Sequence, residues 1–177
     1  MSRLVVFATA LSRLHADLLI VRLRQAGISR TSISALYAPS SRPNSGLCWL
    51  SGTARLALSS GEPVEVSGRL RVALGHGPAG AGHSSLLKRL ADFGLTAKQS
   101  AELEESLLES HLVLAIEVHK EPALNSVFNV LQGLEAEKIM PVSTHAPIAQ
   151  SHSPRFLRRL RRRASVAAGL PAFAAFA

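Results

Sequence analysis

Leu112-Val113-Leu114-Ala115-Ile116-Glu117-Val118 is apolar at every position except Glu117. A run this short and this uniformly apolar predicts a strand covered on both faces, since a one-sided strand would alternate. A second such run, Leu4-Val5-Val6-Phe7-Ala8, opens the chain. Each run is followed by helical spacing and then by a weaker strand. After the first, Ser12 can cap a helix in which Leu14, Leu18 and Val21, flanked by Leu19 and Leu23, form the expected buried stripe. Gly27 ends it, and Ile33, Ala35 and Tyr37 belong to a less buried strand. After the second, Pro122 suits a first helical turn, and Leu124, Val127, Phe128, Leu131 and Leu134 recur at helical spacing. A last strand follows near Ile139 to Thr144, where Pro141 implies a sheet edge.

Two similar strand–helix–strand units predict an α+β, ferredoxin-like duplicated βαβ layout. The two rich strands would be central, the two weaker ones at the edges, and the helices on one face. The expected domain is 1–149, with an insertion at 39–95. In that insertion, 39–52 is rich in Pro, Ser and Gly and reads as a loop. Thr53 to Leu58, Val64 to Val66 and Arg69 to Leu74 alternate at period two, which predicts a small β-meander. A glycine loop, a short helix over Ser84 to Phe93 stopped by Gly94, and a helix to about His111 complete it. Thr96 and Gln99 form the capping box of that last helix. Its Leu103, Leu107 and Leu108 are expected inside, and Glu102, Glu104, Glu105 and Glu109 on a wet face.

With this order laid out, the chain resembles the bacterial heat-induced (general) stress protein family of small domains. The likeness rests on Leu4-Val5-Val6-Phe7, on Ala26-Gly27-Ile28 leading to Ser32-Ile33-Ser34, and on Ser67-Gly68-Arg69-Leu70 onward to Phe93-Gly94-Leu95-Thr96. Ser110-His111, followed by Leu112 to Val118 and His119, completes it. The resemblance implies a non-enzymatic, stress-associated domain with no catalytic residues to carry over. The chain departs from the pattern in its charged meander, with Arg55, Arg69 and Arg71, and in its C-terminal tail.

Charge is concentrated in that tail, 150–177. The formal charge is +8, and Arg155, Arg158, Arg159, Arg161, Arg162 and Arg163 supply most of it, because no acidic residue follows Glu137. If Arg155 to Ala168 is helical, Phe156 and Leu160 lie on one apolar stripe among the arginines. Leu170, Phe173 and Phe176 then read as a docking peptide. Such a segment suits nucleic acid, an acidic protein surface or an anionic membrane surface, and arginine favours bidentate contacts to phosphate or carboxylate. Arg55, Arg69 and Arg71 form a secondary basic face in this reading.

Other chemistry is weakly supported. Gly75-His76-Gly77-Pro78-Ala79-Gly80 matches the dinucleotide fingerprint in form, after an expected strand and before an expected helix. Pro78 removes one amide, however, and no acid stands about 20 residues on to hold a ribose. Gly75 to Gly82 is therefore expected to be a connector, with nucleotide sensing a weaker alternative. No histidine pair has metal-ligand spacing and no serine sits in a nucleophile elbow, so neither cofactor, metal nor enzyme activity is expected. The one cysteine, Cys48, and the absence of a run of about 20 apolar residues point to a cytoplasmic protein. The functional expectation is a non-catalytic binding or scaffold protein held to an anionic partner by its tail. The alternative is a small structural subunit of a larger assembly, and homodimerisation through an exposed strand edge, Ser32–Tyr37 or the strand of Pro141, fits either.

Overall fold

The two apolar runs lie side by side at the centre of one sheet. In the computed structural model, which describes residues 3–39, 53–75 and 85–144, β1 (Arg3–Ala10) pairs antiparallel with β5 (Leu112–Val118) from Leu4↔Val118 to Ala10↔Leu112. On its other side β1 pairs with β6 (Glu137–Thr144), and β5 pairs with β2 (Ile33–Tyr37), both antiparallel. The sheet continues through β4 (Pro63–Ser67) to β3 (Thr53–Ala57), giving six antiparallel strands in the order β3-β4-β2-β5-β1-β6. The architecture is α+β.

Helices cover both faces, not one, and this explains why the central strands are apolar throughout. Val6, Ala8, Leu114 and Ile116 point to the side covered by α1 (Arg13–Gln25) and α5 (Glu121–Gly133). Val5, Phe7, Val113 and Ala115 point to the other side, covered by α2 (Leu70–Gly75), α3 (Leu86–Phe93) and α4 (Ala97–Leu108). Alternate side chains of one strand thus enter two separate cores. Phe7 meets Phe93 edge to face, with ring centroids 6.0 Å apart.

Three expectations about the framework are corrected. The third strand of the meander is a helix: Leu70 and Leu74 are buried one turn apart, and Gly68 turns the chain away from the sheet with φ +81°. The Ser34 hydroxyl accepts a hydrogen bond from the Leu70 amide and so caps the new helix from across the sheet. Leu70, Val72 and Leu74 satisfy period two and leave the strand reading open, but Leu70, Ala73 and Leu74 also satisfy helical spacing. The two strands that remain extend the main sheet, so β2 is an interior strand instead of an edge. Ser32–Tyr37 accordingly offers no free edge for dimerisation; the edges are β3 and β6, and Pro141 lies on the latter as expected.

The remaining corrections concern sidedness. α1 buries Ala16, Leu19, Ile20 and Leu23, whereas Leu14, Leu18 and Val21 of the expected buried stripe are exposed. On α4, Leu108 is exposed and Glu104 is buried, the reverse of the expectation for both. The Thr96–Gln99 capping box and the Gly94 stop are present, the latter with φ +119°.

Candidate functional site: the outer face of α1

Ser12 starts α1 by accepting the His15 amide at 3.1 Å, and the helix is held against α5 by the His15 side chain. His15 Nε2 lies 2.8 Å from the Leu134 carbonyl, while Nδ1 accepts the Leu11 amide at 3.3 Å. One neutral tautomer, protonated at Nε2, satisfies both bonds. The ring therefore fixes how α1 is rotated about its axis, and with it which side chains face outward.

Those outward residues are apolar. Leu14 is 79% exposed, and Leu11, Leu18 and Val21 are between 44% and 48% exposed. Scattered single leucines on a surface need no explanation, but Leu14, Leu18 and Val21 follow one another at spacings of four and three along one line of α1, and Leu11 stands just before its Ser12 cap. That is the d-a-d spacing of a short helix–helix seam, to which Leu11 adds apolar surface at the N-terminal end. Both sides of the seam carry charge. Arg22 and His15 fall on one side, and Asp17 and Arg24 on the other, with Arg13 near its start. Arg22 and Arg24 are exposed, and Arg22 reaches the Gln25 side chain at 3.1 Å. Just beyond the seam's C-terminal end, Val21, Arg24, Gln25, Gly27, Ile28 and Arg30 line an open depression, where Arg30 adds a further guanidinium group to that of Arg24. Asp17 stands apart as the seam's one acid. Burial pushes its carboxyl above the usual 3.8, and its Oδ1 has no hydrogen-bond partner.

The residues singled out from the sequence are placed differently. Arg155, Arg158, Arg159, Arg161, Arg162 and Arg163, with Phe156, Leu160, Leu170, Phe173 and Phe176, lie outside the described residues. Of the secondary basic face, Arg55 on β3 meets Glu65 of β4 at 3.7 Å, and Arg69 meets Glu117 of β5 at 3.5 Å. Val64 and Val66 belong to the core on one face of the sheet, so Glu65 between them points to the opposite face. Glu117 shares the face of Val113 and Ala115. Arg55 and Arg69 are thus matched to separate carboxylates on opposite faces of the sheet, and Arg71 lies on α2. Glu117 is only 6% exposed, with His119 Nε2 at 3.8 Å as a second cationic group when protonated. A carboxylate buried this deeply is tolerable because it is paired. Its position ties the end of β5 to the entry of α2.

The glycine loop keeps only Gly75 among the described residues, and that residue closes α2. The dinucleotide fingerprint needs a strand immediately before its glycines, and here a helix stands there. Among the described residues no group of three or more His, Cys, Asp or Glu side chains could hold a metal ion, and no helix is long and apolar enough to cross a membrane.

Reasoning from the sequence missed the α1 seam as a surface, although Leu14, Leu18 and Val21 were visible in the spacing. It also missed Glu104, whose carboxylate accepts the Ser59 amide and clips the β3–β4 turn to α4. The spacing of Ser100, Leu103, Glu104 and Leu107 places Glu104 on the buried stripe, and that signal was available.

No family model, no curated protein and no solved structure matches the chain.

Proposed function

We propose that this protein is a non-catalytic binding or scaffold protein that attaches to an anionic partner through basic surfaces. The observation that carries the reading is the outer face of α1: three exposed apolar residues in line, with exposed Leu11 just before the helix and arginines on both sides. An apolar line of this kind is kept in water only at a cost, and arginine is the cation best suited to carboxylate or phosphate once partly dehydrated. The Arg-rich tail adds a second attachment of the same sign. An acidic protein surface stands ahead of nucleic acid, because leucines gain nothing from a phosphate backbone. The stress association rests on the resemblance of the segments quoted above.

The same reading takes β1-α1-β2 and β5-α5-β6 as two copies of one unit, a ferredoxin-like duplication with the β3–β4 hairpin, α2, α3 and α4 inserted between. Its support is the order β6-β1-β5-β2 and the placement of α1 and α5 on one face. A second reading, a structural subunit of a larger assembly, draws on β3, an edge strand among the described residues, where an added strand could pair.

The test uses the full chain in four forms: unaltered, with Arg22→Gln and Arg24→Gln, with the six tail arginines changed to Gln, and with both sets combined. Retention on immobilised poly-glutamate and on RNA is measured against salt. Either set of changes is expected to lower the salt needed for release, and the double set to lower it further. On duplex nucleic acid each lost phosphate contact reduces the log–log slope by about 0.9. Identical release of all forms from both matrices would overturn the reading.

A further inference from the structure

We infer that the occupant of the α1 seam is an amphipathic helix of a partner protein, apolar at its own a and d positions and acidic beside them. The inference rests on the binding reading above and specifies the partner's shape and charge. Leu18 occupies an a position, Leu14 and Val21 occupy d positions, and Leu11 lies just ahead of the helix cap at Ser12. The flanking e and g positions are His15, Arg22, Asp17 and Arg24, so the C-terminal half of the seam is flanked only by arginine. A seam of this width accepts one helix by knobs-into-holes packing, and the flanking charges choose the partner's sign.

Three other occupants fit less well. A second copy of the chain laid along the same seam would bring Arg22 and Arg24 of both copies into one contact, where like charges cost binding. The chain's own tail carries the same sign as the seam. An anionic membrane would need a broad apolar or basic face, yet the neighbouring α5 shows Asn125, Asn129 and Gln132 to solvent, with Glu121 and Glu135 at its ends. Leu124, Phe128 and Val130 of α5 are half-buried, so the exposed large apolar residues on this side are confined to one line, matched to a helix more than to a plane of lipid. The depression beyond Val21, overlooked by Arg24 and Arg30, extends the basic end of the seam. The partner's acids should accordingly gather opposite the C-terminal half of the seam.

The experiment titrates the full chain with a synthetic three-heptad peptide, Leu at a and d and Glu at e and g, and with its twin carrying Lys at e and g. Binding is read by calorimetry and by amide shifts along α1. The acidic peptide is expected to bind and the basic twin not. Leu14→Ser with Leu18→Ser should weaken the acidic peptide by roughly thirtyfold. Arg22→Glu with Arg24→Glu should weaken it by about tenfold and give the basic twin measurable affinity, an exchange that misfolding cannot mimic. Equal binding of both twins, or shifts that avoid α1, would overturn the inference. So would concentration-dependent self-association that Leu14→Ser with Leu18→Ser abolishes, which would make a second copy the occupant. Binding to vesicles containing phosphatidylserine, lost in the same variant while neither peptide binds, would replace the helix by a lipid surface and leave the anionic-partner reading intact. If α1 variants alter binding to neither peptides, vesicles nor RNA, the α1 basis of both readings falls.

Discussion

At the scale of single residues, the positions with the sharpest consequences are those where one atom does a task no neighbour can take over. Glu104 accepts the Ser59 amide from within α4, so Glu104→Ala leaves that donor without its charged acceptor and is expected to cost about 1–3 kcal/mol in urea unfolding. Glu104→Gln keeps an acceptor and should cost clearly less; equal losses would mean that packing, not the bond, is what matters. Gly68 and Gly61 offer a controlled pair, both with positive φ. A Cβ on Gly68 would sit 2.7 Å from the Ser34 hydroxyl and 2.9 Å from the Ile33 carbonyl, while one on Gly61 would meet nothing within 4 Å. Gly61→Ala should therefore show only the conformational penalty, about 1–2 kcal/mol. Gly68→Ala adds a collision with backbone and should lose about 2 kcal/mol more, since the neighbours are fixed by the sheet. Asp17 gives a pH-dependent case. Burial raises its folded-state pKa above 3.8, so the folded chain holds that proton longer than the unfolded chain does. Stability is then lost as pH rises through the window just above 3.8, and the penalty is complete above the folded value. Asp17→Asn should unfold like the unaltered chain near about pH 3 and at higher temperature near about pH 7. A constant difference across that range would show that Asp17 ionisation has no part in stability.

Among the elements, α1 is the instructive one, because its sequence is apolar on two sides and only the sheet decides which side is buried. Leu14, Leu18 and Val21 make as regular a stripe as Ala16, Leu19, Ile20 and Leu23, and the sequence alone favours the larger residues. Ala16 is the residue that breaks the tie: at 0% exposure it lets the helix sit close to the sheet, where a leucine would hold it off. The consequence is opposite to the sequence expectation. Leu14→Gln with Leu18→Gln should leave the thermal midpoint nearly unchanged, whereas Leu19→Ala should cost about 2–5 kcal/mol. A large loss from the first pair would mean that the outer face is covered within the chain itself. α2 was misread for a related reason, since six residues with apolar positions at two, three and four apart fit either period, and the deciding contact, Ser34 to Leu70, is made across the sheet. By contrast, Gly94 and the Thr96–Gln99 capping box were legible because their hydrogen bonds close within a few residues. β6 carries a different lesson. Its register against β1 shifts between Phe7 and Thr9, with Lys138 at φ +47°, and the Lys138 ammonium is tied to the Glu102 carbonyl and the Glu105 carboxylate of α4. The helix packed on this face of the sheet thus holds an irregular strand whose local sequence shows no sign of it.

For the whole molecule, the legible part was the part whose burial is uniform, and the rest depended on long-range pairing. β1 and β5 were visible as central because strands covered by helices on both faces have no polar side. The position of β2 was not, because only the hairpin that docks on it makes it interior, and the hairpin's sequence does not name its neighbour. The seam on α1 was legible as spacing and illegible as surface for the same reason. This division predicts how the fold opens. β5 is paired along both edges and buried at all seven positions, so its amides can exchange only when the sheet comes apart. β3 is paired on one side, lies at the sheet edge and is joined to the far core mainly through Leu56, with Leu58 and the Glu104–Ser59 bond just beyond its end. Native-state hydrogen exchange should therefore rank β5 and β1 as the most protected strands and β3 as the first to open, without loss of the central pair. Glu104→Ala sharpens the test, because it should accelerate exchange in β3 and β4 while the amides of β1 and β5 slow or quicken only in step with global stability. Were β3 to exchange together with β5 in both proteins, the sheet would be a single cooperative unit, and the hairpin would have to be counted as part of the fold's core instead of an insertion docked on its flank.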